Sequence, residues 1–70
     1  MNDKDEIIRV VESARIWGDE SSFRYTEIIR KIEKDDFDGA IREIDNLLIW
    51  EDDFGATLRL EDARRELRNM

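Results

Sequence analysis

The chain has 70 residues, with 12 Lys+Arg against 19 Asp+Glu for a formal net charge of -7, and it contains no His, Cys, Pro or Gln. Without imidazole or thiolate it lacks the usual general base near neutral pH, the usual partner of a nucleophile, and nearly every zinc, haem or iron–sulfur ligand set. Folding a domain this small removes only about 60–65% of the unfolded chain's surface from water, so apolar residues go to a core and not to a deep pocket. The expectation is a non-enzymatic domain with no cofactor and no small-molecule substrate.

Four helices are predicted from hydrophobic periodicity. The first, about residues 4–17, carries Ile7, Val10, Val11, Ala14 and Trp17 on one stripe, with Asp3 as N-cap, Glu6 at the third helical position and Gly18 as a left-handed terminator. Asp19, Glu20 and Ser21 restart the chain. The second helix, about 22–34, presents Tyr25, Ile28, Ile29 and Ile32, and the third, about 37–50, presents Phe37, Ala40, Ile41, Ile44, Leu47 and Leu48. The fourth, about 56–69, is weaker, with Ala56, Leu60, Ala63, Leu67 and Met70 on one face, Gly55 as the break, and either Asp53 or Thr57 as its cap. Acid-before-base spacings at Asp5–Arg9, Glu27–Lys31, Asp38–Arg42 and Glu61–Arg65 suit surface ion pairs, each worth a few tenths of a kcal/mol. Connections of two to six residues force consecutive helices to return antiparallel. The fold class is therefore all-α: residues 1–70 form one domain, a compact antiparallel four-helix bundle built from two helical hairpins. A three-helix bundle with a frayed fourth helix is the alternative.

The segment Lys34-Asp35-Asp36-Phe37-Asp38-Gly39-Ala40-Ile41, followed by Ile44, Leu47 and Leu48, resembles the turn and second helix of a tetratricopeptide repeat. An Asp cap, an aromatic plug, a small residue at Ala40 and an aliphatic stripe imply a tight helical hairpin. The preceding helix departs from the family, with Ile28 where a small residue is expected, Lys31 where a bulky one is expected, and Asp35 in place of the turn glycine. Peptide-groove binding is therefore not carried over.

The same stretch overlays part of a calcium loop, Lys34-x-Asp36-x-Asp38-Gly39-x-Ile41-x-x-x-Asp45. A lysine stands at the first ligand position and a short Asp45 at the last, so no metal is expected there. Ser21 and Ser22 have no histidine to activate them, and the glycines stand alone, with no phosphate-cradling loop. The acidic balance argues against binding nucleic acid. The one basic cluster, Arg64, Arg65 and Arg68, is interleaved with Glu61, Asp62 and Glu66 as a self-paired face. No run of 18 apolar residues exists and the first residues are acidic, which predicts a cytoplasmic protein without membrane contact.

Five apolar residues miss the core stripes or sit at their edge: Ile16, Phe23, Ile49, Trp50 and Leu58. In an up-down-up-down bundle all five fall at one end. Two readings follow: a satellite core in which Phe23, Trp50 and Phe54 close the bundle end, or a partner-binding patch anchored by Trp50. The functional expectation is a protein–protein interaction module, or a bundle that associates with itself. The alternatives are an engineered stand-alone bundle without biological activity, suggested by the missing residue types and tidy caps, and an acidic mimic of nucleic acid that occupies a basic protein.

Overall fold

The computed structural model describes residues 3–70; Met1 and Asn2, which the single-domain reading takes in, lie outside the described residues. Its helices are α1 (Lys4–Trp17), α2 (Ser22–Glu33), α3 (Phe37–Trp50) and α4 (Phe54–Arg68). Each opens on a side chain that accepts from a backbone N–H of the first turn: Asp3 from Glu6 at 2.9 Å, Ser21 from Phe23 at 3.2 Å, Asp36 from Gly39 at 3.0 Å and Asp53 from Ala56 at 2.8 Å. These bonds satisfy donors that the helical ladder leaves orphaned. Asp53, not Thr57, caps α4, so the helix starts two residues before the predicted boundary and Gly55 lies inside its first turn.

The left-handed residue of this fold is also not where the sequence places it. Gly18 ends α1 in extended backbone (φ -74, ψ 151), whereas Asp35 takes φ 63 in the turn between α2 and α3. There the N–H of Asp36 donates to the Lys31 carbonyl at 2.8 Å and that of Asp35 to Ile32 at 3.0 Å, a Schellman closure with Asp35 in the position usually given to glycine.

Each helix packs closely on its two ring neighbours, α1 on α2 and α4, α3 on α2 and α4. The chain is an all-α four-helix bundle, and the three-helix alternative falls because α4 buries Ala56, Leu60, Ala63 and Leu67. The core joins these to Ile7, Val11, Ala14, Tyr25, Ile28, Ile32, Ala40, Ile44 and Leu47, with Val10, Ile29, Phe37, Ile41 and Leu48 packed at its margin. Two predicted stripe members leave the core. Trp17 is more than half exposed, and Met70, beyond the end of α4, is nearly half exposed.

The ion pairs formed are not the four that the sequence singles out, although Glu20–Arg24 keeps the same acid-first i,i+4 spacing. Those formed are Arg24–Glu20, Arg30–Glu27, Arg65–Asp62, and two that tie elements together, Lys4–Asp35 at 2.9 Å and Arg64–Asp45 at 2.7 Å. None of the four predicted pairs is among them. At the surface the alternatives differ by about tenths of a kcal/mol, so partners at i,i+3, at another i,i+4 position or elsewhere in the fold take the place of the expected ones.

Candidate protein-docking site

The α1–α2 and α3–α4 loops meet at one end of the bundle, and a buried carboxylate holds them together. Glu51 follows the last residue of α3 and its own N–H donates to the Leu47 carbonyl at 2.9 Å. Its side chain is only 7% exposed and accepts the Tyr25 hydroxyl proton together with backbone N–H groups of Asp19 (2.9 Å), Asp53 (3.1 Å) and Glu20 (3.4 Å). Burial pushes the Glu51 carboxyl up, but the Tyr25 hydroxyl and the three N–H donors outweigh it and hold the group below its ordinary 4.5. Tyr25, fully buried, is raised well above its ordinary 10.0, first by burial and then by the hydrogen bond and charge of Glu51, with Glu20 and Asp53 adding to it. The pair is thus fixed as neutral phenol and ionised carboxylate.

This clasp explains Gly18. A Cβ built there would run into the Tyr25 hydroxyl and the Glu51 carboxylate. Gly18→Ala is expected to cost about 1–3 kcal/mol, the usual penalty of overpacking a filled site, read as a lower urea midpoint at unchanged slope. An unchanged midpoint would mean that the loops yield around the methyl group.

Because a polar clasp closes the bundle end, the apolar residues beside it are not used for that purpose. Ile16, Phe23, Ile49, Trp50 and Leu58 are exposed, from 49% at Leu58 to 79% at Ile16, and Phe54 is exposed too. The satellite core of Phe23, Trp50 and Phe54 does not form. Helical geometry gives the reason: at about 100° per residue, Ile16 lies roughly opposite Ile7, Ile49 opposite Ala40, and Leu58 opposite Ala56. They point outward from different helices, so the apex is a girdle and not a single tip.

The girdle has an internal regularity. Helices α1 and α3 have equal length, 14 residues, and start 33 residues apart (Lys4 and Phe37), which aligns the buried pairs Ile7/Ala40, Val11/Ile44 and Ala14/Leu47. The same offset aligns Ile16-Trp17 with Ile49-Trp50. Each tryptophan ends a helix whose neighbour starts beside it. Trp17 lies against Gly55 at the start of α4 and carries the Arg59 guanidinium 5.3 Å from its ring centroid. Arg59 is fixed there by bonds to the Ser13 hydroxyl (2.9 Å) and the Gly55 carbonyl (3.1 Å). Among the described residues no cation covers Trp50. Trp17, which its stripe assigns to the core, and Phe54, which the satellite-core reading places under the loops, therefore join the surface; for Trp17 the repeated Ile-Trp at two helix ends is the available signal.

Charge follows the same polarity. With each helix cut at its midpoint, the loop end (residues 11–27 and 44–61) carries nine acids against Arg15, Arg24 and Arg59, a net of -6, while the opposite half holds ten acids against nine bases. Exposed Glu12, Asp19, Asp52 and Glu61 make no ion pair among the described residues. The carboxylates of the calcium-like spacing are spent elsewhere, Asp36 on its cap and Asp45 on Arg64. Among the described residues no three potential ligands gather around a metal position, and no helix is long and apolar enough to cross a membrane. No family model, no curated protein and no solved structure matches the chain.

Proposed function

We propose that this domain is a protein-docking module that engages another protein through the girdle at its loop end. The supporting observation is the exposure of both tryptophans together with Ile16, Phe23, Ile49, Phe54 and Leu58 at an end already closed by the Glu51 clasp. Tryptophan is enriched among residues that dominate binding energy, and a concentration of large exposed apolar side chains at one end of a small domain marks a contact surface. Catalysis has no support of comparable kind.

The test is the double variant Ile49→Ser/Trp50→Ser. Its urea midpoint is expected to stay close to that of the parent, because substitutions at exposed positions usually change stability by about 0.5 kcal/mol or less. Panning a displayed library of random 16-residue peptides on the parent domain is expected to enrich clones that the variant no longer retains. Truncating an interface tryptophan costs about 2–4 kcal/mol of binding. Failure to enrich any clone, or clones retained equally by the variant, would remove the docking reading.

A further inference from the structure

From the charge polarity and the uncovered Trp50 ring, we infer that the partner is an arginine-rich, amphipathic segment of another protein, with an arginine seated on Trp50 and apolar side chains against Ile49 and Phe23. This rests on the docking reading and names the chemistry of its occupant.

Three observations carry it. The first is that every large exposed apolar residue except Met70, and almost all of the net charge, occupy the same half of the molecule: a net of -6 against -1. A second copy of this chain would bring a like charge to the same surface, and phosphates of a nucleic acid or an anionic lipid would meet the same repulsion. The second is that two of the three cations native to this end are already engaged, which leaves only Arg15 without an ion pair among the described residues. Arg24 pairs with Glu20 at 3.2 Å and Arg59 is held on Trp17, while Asp19 and Asp52 stand exposed and unpaired beside the girdle among the described residues. The third is the internal template. Trp17 holds a guanidinium supplied by the neighbouring helix, and Trp50, at the equivalent helix end, is 61% exposed and holds none. An arginine from outside completes at Trp50 what Arg59 completes at Trp17. Guanidinium is preferred to ammonium because it stacks flat on the indole while keeping in-plane donors for carboxylates such as Asp52.

The test uses the full chain and four synthetic 16-residue amphipathic peptides of one leucine pattern, with arginine, lysine, serine or glutamate on the polar face. Binding is read by calorimetry at 50 and 300 mM salt. The arginine peptide is expected to bind at least tenfold more tightly than the serine peptide at low salt, to weaken as salt rises, and to exceed the lysine peptide; the glutamate peptide should not bind. Trp50→Leu keeps apolar area but removes the indole face, and should weaken the arginine peptide about two- to fivefold beyond its effect on the serine peptide, the fold-change that corresponds to an exposed cation–π contact. Asp19→Asn/Asp52→Asn should flatten the salt dependence. Serine or glutamate peptides binding as well as arginine would overturn the inference and leave docking intact. No binding by any peptide would overturn both. Arginine binding unchanged in Trp50→Leu and in Ile49→Ser/Trp50→Ser would place the contact elsewhere, and dimerisation of the chain alone at low salt would assign the surface to a second copy; each would overturn the inference.

Discussion

Ile44→Asp is expected to leave the chain unfolded at pH 7 and 25 °C. Ile44 is fully buried on α3, between Ala40 and Leu47 on the same core stripe. Replacing it removes a side chain whose truncation costs about 2–5 kcal/mol, and installs a carboxylate within the buried hydrophobic cluster, where an uncompensated charge is costly. A 70-residue domain has a total stability of about 4–10 kcal/mol, so the two losses together exhaust it. Burial would raise the pKa of the new carboxyl, so its penalty is largest at neutral pH and eases as the group protonates. Circular dichroism should therefore show some helix returning between pH 7 and 5 for Ile44→Asp, and none for Ile44→Asn. Ile44→Val, which deletes one methyl group, should cost only about 0.5–1.5 kcal/mol. A cooperative, parent-like melt of Ile44→Asp would mean that this face of α3 is not the centre of the core.

What the sequence disclosed depends on whether the determining physics is local. The bounds of α1 and α3 agree with prediction because Asp3 and Asp36 cap them and their stripes hold an unbroken 3.6-residue period. The outward placement of Ile16, Phe23, Ile49 and Leu58 follows from the same period. Where two solutions are locally equivalent, the period cannot choose: Asp53 and Thr57 are both competent caps, and in the fold Asp53 accepts the Ala56 N–H while Ala56 is buried inside the helix. Trp17 is expected on the α1 stripe but stands exposed, beneath the guanidinium of Arg59 from a helix some forty residues later, a contact that no local pattern encodes. Gly18 looked like a left-handed terminator, but its reason is a close approach by Tyr25 and Glu51, contacts that no local pattern encodes. The role of Glu51 is the feature least legible in the sequence. A tyrosine on the core stripe of α2 announces a buried hydroxyl in need of an acceptor, yet Asp19, Glu20, Glu51, Asp52 and Asp53 all sit in the facing loops, and only the fold picks one. Electrostatic polarity was accessible once the bundle order was known, because it needs only the assignment of residues to ends.

Glu51→Gln is expected to destabilise the domain by about 2–4 kcal/mol at pH 7, since hydrogen bonds to a charged group contribute about 1.5–3 kcal/mol and the amide cannot accept from every donor that the carboxylate serves. Its NH2 would face N–H groups of the loops. The pH dependence identifies the cause. The folded Glu51 carboxyl titrates below its ordinary 4.5, so its contribution is fully present above that value and is lost as pH falls through the folded pKa. The stability gap between parent and Glu51→Gln should therefore stay constant from pH 8 to about 5 and narrow in more acidic solution. Tyr25 shifts in the opposite sense. Its folded pKa is raised above 10.0, so the stability it contributes is present below that pH and declines above it, as the unfolded phenol ionises and the folded one does not. Tyr25→Phe should lack this alkaline decline, and a double-mutant cycle with Glu51→Gln should show the two costs to be strongly non-additive, because each removes the other's partner. Urea unfolding across pH 3–11 measures all of this on four proteins. Equal stability gaps at pH 3 and pH 7, together with additive costs, would mean that Glu51 acts through packing alone and that the loop end is not held by its charge.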